Sequence, residues 1–280
     1  IKIFSANGMK ISHDLELKIQ EKVNEAVTTV SCELLGKVER VNDAVGRYIE
    51  FCKSTFPLQF SLSNLSIVLD CAHGATYKIA PAVFSELGAK VTTIGCKPDG
   101  YNINNNCGSV YPEHLGKKVI EINADLGIAF DGDGDRVIMV DSTGQLINGD
   151  NILYIIASYM HSQNRLSGGV VGTLMSNSGL EISLGELGIP FVRSQVGDKY
   201  VCQALVNNNW VLGGEPSGHI LCLESTTTGD GIIASLQVLA AMASEGKSLA
   251  QLAVSMVEMP QTVVNIRHKQ NVSSELHSAL

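Results

Sequence analysis

The length, composition and charge of this chain describe a folded protein with sizeable hydrophobic cores. Its 280 residues are enough for two compact domains, and a hydrophobic fraction of 45% with 17% charged residues is typical of globular proteins. The formal net charge of −8 argues against nucleic acid or an anionic membrane surface as the main partner. We therefore expect neither nucleic acid nor a membrane among its partners.

The cysteines and the apolar runs predict a cytoplasmic location. The seven cysteines are widely spread and include no Cys-x-x-Cys pair, which favours reduced, mostly buried thiols. No apolar run reaches the roughly 18 residues that span a bilayer, and no signal peptide is expected. Because the first residue is Ile1, we expect the chain to be the interior of a longer polypeptide.

Two helices are predicted in the first part of the chain. Residues 1–10 are typical of the end of a strand followed by a turn. Ser12 is the expected cap of a helix that continues to about Thr29, since apolar side chains recur there at every fourth position. A second helix is predicted over 41–56, and the polar, serine-rich stretch 57–64 is interpreted as a linker.

From residue 65 strands and helices alternate, and the same order of elements occurs twice. The first series is a strand at 65–70, a helix ending near 88, a strand at 91–94, a helix at 112–122, a strand at 126–130 and a hairpin at 137–147. The second is a helix at 150–161, a strand at 170–173, a helix at 178–187, a strand at 191–194, a helix at 198–206, strands at 211–213 and 220–223, and a helix at 230–244. This order predicts an α/β protein of repeated three-layer α/β/α sandwich domains with mixed, mainly parallel sheets.

A short buried strand that ends in three carboxylates is the strongest functional signal. The apolar run 126–130 is followed directly by Asp131, Asp133 and Asp135, and the glycines between them let the backbone curl. Neighbouring carboxylates repel one another unless a cation or a hydrogen-bond array holds them. Oxygen-only ligands suit a hard ion, so we predict a Mg²⁺ site at the carboxyl end of the strand.

Two other interpretations of the segment 131–136 are an EF-hand calcium loop and a polar turn. An EF-hand calcium loop requires Gly at its sixth position and Glu at its twelfth, where this chain has Arg136 and Ser142. A polar turn at a strand end would also use Asp and Gly. One Asp-Gly pair would favour the turn, whereas three alternate aspartates after a buried strand favour the metal. We call residues 131–136 the acidic loop.

A glycine-rich segment at 212–219 is the second candidate. Glu215, Ser217 and His219 stand at alternate positions, so a carboxylate and a hydroxyl could bind neighbouring sugar hydroxyls while the imidazole transfers a proton or contacts phosphate. A turn with an incidental histidine explains the segment equally well. Asp198 and Lys199 follow another strand, and there a helix cap and a solvated charge are the alternatives.

Four isolated residues complete the candidates. Asp230 is expected to cap the last long helix. His73, in a strand-to-helix turn, is expected to be structural. Lys2 and Lys10 could bind phosphate, although a lone lysine is usually only exposed.

Several motifs occur together along the chain. Asp-Gly-Asp-Gly-Asp-Arg, Gly-Glu-Pro-Ser-Gly-His and Thr-Thr-Thr-Gly-Asp-Gly stand at 131–136, 214–219 and 226–231. Leu-Asp-Cys-Ala-His-Gly-Ala-Thr, Asn-Ile-Asn and Gly-Thr-Leu-Met-Ser-Asn stand at 69–76, 102–104 and 172–177. In combination they resemble the α-D-phosphohexomutase family over nearly the whole chain.

The resemblance implies both an architecture and an activity. Four domains would surround a cleft, and this chain would supply the end of the first (1–62), the second (63–147) and the third (148–262), with 263–280 leading toward a fourth. The implied reaction interconverts glucosamine 6-phosphate and glucosamine 1-phosphate through a phosphoserine and a bisphosphate, for amino-sugar nucleotide and cell-wall precursor synthesis. The implied substrate is a phosphorylated hexosamine, and a homodimer is allowed.

The resemblance also implies roles for residues of the acidic loop. Asp131, Asp133 and Asp135 correspond to the Mg²⁺ ligands, and Arg136 to the group that steadies the seryl phosphate. Lys2 corresponds to a proton-transfer residue. Phosphoryl transfer depends mostly on positioning and electrostatic stabilisation, which a metal ion and a few bases provide.

The remaining implied roles concern the substrate. Glu215 and Ser217 correspond to the pair that binds sugar hydroxyls. His219, Asp198 and Lys199 would line the same cleft, with His219 also a candidate for catalysis.

Two parts of the family pattern do not occur in residues 1–280. They are the Ser-His-Asn-Pro type serine loop, expected a few residues before Ile1, and the phosphate loop of the fourth domain. Pro216 and His73 also stand where the family usually carries Gln and Asn, without removing a functional group. We expect these residues alone to bind metal weakly and not to turn over.

Three other functions are also compatible with the sequence. The first is a preference for mannose or glucose phosphates, that is, a phosphomannomutase or phosphoglucomutase activity. The second is a haloacid-dehalogenase-like phosphatase with Asp131 as nucleophile and Asp133 as acid/base. The third is an inactive sugar-phosphate-binding fragment.

Overall fold

The first part of the chain holds two helices that lie outside the sheets. The computed structural model describes residues 3–6, 8, 10–262 and 264. Helix α1 spans His13–Asn24 and α2 spans Ala44–Ser54, with a 3₁₀ turn at Cys32–Leu34 between them. The stretch 57–64 contains neither helix nor strand.

Three predictions for this part need correction. Helix α1 ends at Asn24 rather than near Thr29, because the β-branched residues that follow favour extended backbone. Ser12 precedes α1 but its side chain makes no capping hydrogen bond. The segment interpreted as a linker is also packed, since Leu62 is fully buried.

The first sheet contains both parallel and antiparallel strands. The strands lie in the order β2-β1-β3-β4-β5, with β1, β2 and β3 parallel and β4 and β5 antiparallel to their neighbours. The strands are β1 (Ser66–Asp70), β2 (Lys90–Ile94), β3 (Leu126–Phe130), β4 (Val137–Asp141) and β5 (Leu146–Ile147). The accompanying helices are α3 (Ile79–Glu86) and α4 (Glu113–Glu121).

The second sheet repeats this plan with the order β7-β6-β8-β9, in which only the β8–β9 pairing is antiparallel. Its strands are β6 (Val170–Thr173), β7 (Phe191–Ser194), β8 (Leu212–Gly214) and β9 (Ile220–Cys222). Its helices are α5 (Gly149–Ser162), α6 (Ser178–Glu186), α7 (Asp198–Asn208), α8 (Gly231–Glu245) and α9 (Leu249–Ala253).

Helices cover both faces of each sheet. In β1, Ile67 packs with α3 while Val68 faces the opposite side and packs with α4. The second sheet likewise has α7 on one face and α5, α6 and α8 on the other. The predicted three-layer α/β/α class is therefore confirmed.

Helices α5 and α8 join the two sheets into one core. Met139 of β4, Ile156 of α5 and Leu239 of α8 all belong to the same buried cluster. Asp230 caps α8 as predicted, since its carboxylate accepts hydrogen bonds from the backbone N–H groups of the first turn at 3.0 Å. Within the described residues, none of the helices combines the length and the hydropathy needed to cross a membrane.

Candidate active site

The acidic loop connects two buried antiparallel strands. Strand β3 ends at Phe130 and β4 begins at Val137, and these two residues pair across the ladder. One carboxylate oxygen from each of Asp131, Asp133 and Asp135 lies within 4.8 Å of the other two. Three carboxylates placed in this way fit a hard divalent cation, which prefers oxygen ligands.

The electrostatics of the loop also favour a cation. Asp131 is buried, and its pKa is raised to about 6 because burial disfavours the charged form and Asp135 adds like-charge repulsion. Its Oδ1 accepts hydrogen bonds from the backbone N–H groups of Gly134 at 3.0 Å and Arg136 at 3.1 Å. The side chain is thus held inside the curl of the loop, where a bound cation would offset the repulsion.

Backbone contacts from two neighbouring segments hold the acidic loop in place. The N–H of Ala75 donates to the carbonyl of Gly132 at 2.8 Å, and the N–H of Gly231 donates to that of Gly134 at 2.9 Å. A Cβ at Gly74 would lie only 2.2 Å from the carbonyl oxygen of Gly132. Only glycine therefore allows the turn after β1 to approach the loop this closely.

The glycine-rich segment is the hairpin between β8 and β9. Within it, the N–H of Glu215 donates to the carbonyl of His219 at 3.1 Å and that of Gly218 donates to Glu215 at 3.0 Å. The buried Glu215 carboxylate accepts a hydrogen bond at Oε1 from the N–H of Gly197 at 2.9 Å. Ser217 is exposed at the tip. The carboxylate is therefore positioned through one oxygen, and the hydroxyl is accessible to a ligand. We call residues 214–219 the Glu215 hairpin.

The acidic loop and the Glu215 hairpin meet through their backbones. Arg136 and His219 form an isolated antiparallel bridge, and the N–H of Val137 donates to the carbonyl of Gly218 at 3.0 Å. A Cβ at Gly218 would lie 2.0 Å from the carbonyl oxygen of Val137. Loops from two different sheets are thus joined directly.

His219 is buried between two carboxylates. Its Nδ1 lies 3.5 Å from Oδ2 of Asp135, and its Nε2 lies 4.0 Å from Oδ2 of Asp198. Nε2 is buried and has no hydrogen-bond partner within the described part of the chain. An imidazole in this position can exchange a proton or a hydrogen bond with a ligand.

A cleft of about 470 Å³ lies beside these two loops. Most of the predicted site residues line it, namely Asp135, Arg136, Asp198, Glu215, Ser217 and His219. The Arg136 side chain is exposed and offers a guanidinium to an anionic ligand. The cleft therefore brings together carboxylates, a hydroxyl, an imidazole and a fixed positive charge.

Two of the predicted site residues do not line this cleft and are not among the proposed metal ligands. Lys199 is exposed, with its ammonium 4.7 Å from the centroid of the Tyr200 ring, and it lines a neighbouring cavity of about 700 Å³ instead. Lys2 lies outside the described residues. His73, expected to be structural, accepts a hydrogen bond at Nδ1 from the N–H of Lys97 at 3.0 Å.

Asp198 connects the cleft to the first part of the chain. Gly197 is the N-cap of α7 and Asp198 is its first residue, so the alternative of a capping aspartate is wrong. The Asp198 carboxylate forms an ion pair with Lys10. Lys10 is thereby placed at the edge of the site.

The end of β6 contributes residues that the sequence-based prediction missed. Thr173 and Met175 line the cleft, and Gly197 donates the hydrogen bond that positions Glu215. Thr173 is the last residue of an interior parallel strand, and ligands usually lie beyond such strand ends. The motif at 172–177 includes Thr173 and Met175. The sequence alone does not show that the strand before them is interior to the sheet, so it could not place these residues beside the cleft.

Comparison with protein families separates the chain into the same two α/β units. Residues 46–144 match the model for Phosphoglucomutase/phosphomannomutase, alpha/beta/alpha domain II, and residues 148–259 match the model for domain III. The chain belongs to the phosphohexomutase family. The first matched segment contains strands β1 to β4 of the first sheet, and the second contains the whole second sheet.

Curated phosphohexomutases resemble the chain over almost all of its residues. A phosphoglucosamine mutase of Legionella pneumophila (strain Paris) is 58% identical over 267 residues, which cover 95% of this chain and 59% of the relative. One from Hahella chejuensis is 55% identical over 280 residues, covering 100% of this chain and 63% of the relative. The chain thus spans about three-fifths of the length of these relatives.

Solved phosphohexomutases share the architecture. A Phosphoglucomutase/phosphomannomutase family protein of Burkholderia thailandensis superposes with a TM-score of 0.66 at 26% identity, covering 78% of this chain and 47% of that one. The Aspergillus fumigatus N-acetylphosphoglucosamine mutase in complex with GlcNAc-6P and magnesium gives 0.60 at 20% identity, covering 76% and 54%. At that identity the second comparison shows the shared fold alone.

Proposed function

We propose that this chain forms the metal-binding and sugar-binding part of a phosphoglucosamine mutase. Its reaction, an isomerisation by phosphoryl transfer, interconverts glucosamine 6-phosphate and glucosamine 1-phosphate through a phosphoserine and a bisphosphate. The direct joining of the acidic loop and the Glu215 hairpin beside one cleft carries the proposal, because the phosphate and the sugar have to be held together. Identities of 55–58% to phosphoglucosamine mutases support the amino-sugar preference.

The residues of the acidic loop fit Mg²⁺ as the bound ion. Asp131, Asp133 and Asp135 offer three hard oxygen ligands. Burial, and after it repulsion from Asp135, raises the pKa of Asp131, and a bound cation would offset both effects. Asp133 is exposed, which leaves room for further oxygen ligands such as water or phosphate. When bound, the ion would supply Lewis-acid stabilisation of charge on the phosphoryl group.

Arg136 and His219 are proposed to act on the phosphate and on a proton. The exposed Arg136 guanidinium can donate hydrogen bonds to phosphate oxygens. The buried imidazole of His219 can take the proton of the sugar hydroxyl that attacks phosphorus, or return it to the leaving oxygen. Lys2, outside the described residues, is a second proposed proton-transfer group.

Glu215 and Ser217 are proposed to bind the sugar hydroxyls. The N–H of Gly197 holds one oxygen of the Glu215 carboxylate in place. The other oxygen is therefore already positioned to accept a hydrogen bond from a sugar hydroxyl. Ser217 can donate or accept, which suits a sugar that binds in either of two orientations. Asp198 would contribute a third polar group from the side of α7.

The experiment that tests this function uses the complete protein with three sugar phosphates. We expect kcat/KM for glucosamine 1-phosphate to exceed the values for glucose and mannose 1-phosphates at least about tenfold, which corresponds to about 1.4 kcal/mol. A higher value for mannose 1-phosphate would overturn the proposed substrate.

The same preparation distinguishes a mutase from a phosphatase. Acid-stable phosphoserine would support the mutase, whereas an aspartyl phosphate on Asp131 would support the phosphatase. The identities of 55–58% to phosphoglucosamine mutases support the former.

A further inference from the structure

Among the residues that the structure describes, the carboxylates that line the cleft are those of Asp135, Asp198 and Glu215. Asp135 belongs to the proposed metal site, and Glu215 belongs to the proposed pair that binds sugar hydroxyls. The Asp198 side chain is 33% exposed, so a ligand in the cleft can reach it. Asp198 is therefore the carboxylate of the cleft that can bind a further group of the substrate.

The Asp198 carboxylate already binds an alkylammonium group. It forms an ion pair with Lys10, and both side chains are half-buried. The ε-ammonium of lysine and the protonated amino group of a hexosamine are the same kind of donor, a positively charged nitrogen with its N–H bonds free to donate. Because a carboxylate has about four acceptor sites, an ammonium of the substrate can bind beside Lys10 or replace it.

The backbone places Asp198 next to the carboxylate of Glu215. The N–H of Gly197 donates to Oε1 of Glu215 at 2.9 Å. Asp198 is the next residue, and its Cα lies about 3.8 Å from that of Gly197. Oδ2 of Asp198 also lies 4.0 Å from Nε2 of His219 in the same hairpin. Two carboxylates from different segments are thus placed to bind neighbouring groups of one ligand.

The chemistry of a glucosamine phosphate matches this pair of carboxylates. The hydroxyls that stand on adjacent ring carbons of such a sugar are those at C3 and C4, so these are the hydroxyls that Glu215 and Ser217 would bind. C2 is adjacent to C3 and carries the amino group, which is mostly protonated at neutral pH. A carboxylate beside Glu215 is therefore where an ammonium at C2 would find its partner.

We propose that Asp198 determines the preference for an amino sugar by binding the ammonium at C2 of the substrate. This inference rests on the proposed function and names the residue that distinguishes glucosamine phosphates from glucose phosphates. The contact forms in the orientation of the sugar that turns C2 toward α7. A hydrogen bond between two charged groups is roughly twice as strong as a neutral one, so the hydroxyl at C2 of glucose is the weaker partner.

The inference is tested by the substrate preference of the complete protein with Asp198→Asn. We expect the ratio of kcat/KM for glucosamine 1-phosphate to that for glucose 1-phosphate to fall at least about tenfold from the wild-type ratio. Asp43→Asn is the matched control, since Asp43 is exposed on the approach to α2 and also forms an ion pair, with Arg47. It should keep the wild-type ratio. A wild-type ratio in Asp198→Asn would overturn the inference.

A second variant separates binding of the substrate from the ion pair with Lys10. Lys10→Gln breaks the same ion pair but leaves the Asp198 carboxylate in the cleft. Both substrates carry the same phosphate, so any phosphate contact of Lys10 cancels in the ratio of kcat/KM. We expect Lys10→Gln to keep the wild-type ratio within about twofold. A fall as large as that in Asp198→Asn would show that Asp198 acts only through Lys10, which would overturn the inference.

Calorimetric titration of the complete protein gives a reading that does not depend on turnover. We expect Asp198→Asn to weaken binding of glucosamine 6-phosphate, relative to glucose 6-phosphate, at least about tenfold. Circular dichroism checks that the variant is folded. A wild-type enzyme without a preference for glucosamine 1-phosphate would overturn the proposed substrate itself. A wild-type preference that persists in Asp198→Asn, in kinetics and in binding, would overturn only the role of Asp198.

Discussion

The contact between the acidic loop and the Glu215 hairpin depends on one glycine, and replacing it tests how the site is assembled. Gly218 adopts φ +88°, and a Cβ there would lie 2.0 Å from the carbonyl oxygen of Val137. The obstructing atom belongs to the backbone of β4 and cannot rotate away. Gly218→Ala therefore has to separate the two loops or distort the hairpin.

Two terms contribute to the expected loss of stability. Holding an L-residue in the left-handed region costs about 1–2 kcal/mol, and overpacking adds about 1–3 kcal/mol. We expect Gly218→Ala to lower the free energy of unfolding by about 3 kcal/mol in total. Gly188→Ala is the matched control, since Gly188 has φ +72° but nothing lies within 4 Å of its added Cβ. Gly188→Ala should lose only the cost of left-handed backbone, about 1 kcal/mol of unfolding free energy.

Urea denaturation of the chain, followed by the fluorescence of its single tryptophan, Trp210, measures both variants. Trp210 packs against Gly168 beside the second sheet, which is the unit that contains both substitutions. The difference between the variants is the steric term, about 2 kcal/mol. If both variants lost the same stability, the close approach of the two loops would not be a constraint on the fold.

Three further predictions follow from single contacts. Asp133→Asn removes a proposed metal ligand and should weaken Mg²⁺ binding at least about tenfold in calorimetric titration. Asp14→Asn, which removes the same charge from an exposed position on α1, should leave the Mg²⁺ affinity unchanged. If both variants lost the same Mg²⁺ affinity, the acidic loop would be rejected as the metal site. Leu62→Ala opens a cavity at a fully buried position and should cost about 2–5 kcal/mol in urea denaturation, whereas a loss below about 1 kcal/mol would restore the linker interpretation. Tyr48→Phe removes the hydroxyl that donates a hydrogen bond to the buried carboxylate of Asp230, and it should cost about 1–3 kcal/mol of stability in thermal unfolding. An unchanged unfolding midpoint would show that this hydrogen bond does not stabilise the packing of α2.

The sequence predicted the sheets well because their strands are short apolar runs bounded by turn residues. The predicted strand 126–130 is β3, and the predicted strand 191–194 is β7. The boundary of α1 was wrong for a different reason: apolar spacing continued past Asn24, but the local preference of β-branched residues for extended backbone decided the end. The spacing of apolar residues alone does not include this local backbone preference.

Site residues that lie on one loop could be predicted from the sequence, whereas contacts between segments distant in the chain could not. Asp131 and its neighbours could be predicted because all three carboxylates lie on one loop. The ion pair between Asp198 and Lys10, and the position of Thr173 beside the cleft, depend on contacts between distant segments. The four-domain boundaries and the homodimer stay predictions, as does the role of Lys2.

The construction of the cleft constrains how a mutase of this kind could work. The first N–H of α5, at Gly149, donates to the carbonyl of Pro216 at 3.1 Å, and a Cβ there would lie 2.1 Å from the carbonyl oxygen of Glu215. At the start of α8, Gly231 donates to Gly134 of the acidic loop at 2.9 Å. Both helices are buried in the shared core, so their first turns hold the two loops in a fixed relation. These two loops cannot separate without disrupting the core. In the proposed reaction, a sugar that presents first one end and then the other to the acidic loop would therefore have to turn within the cleft.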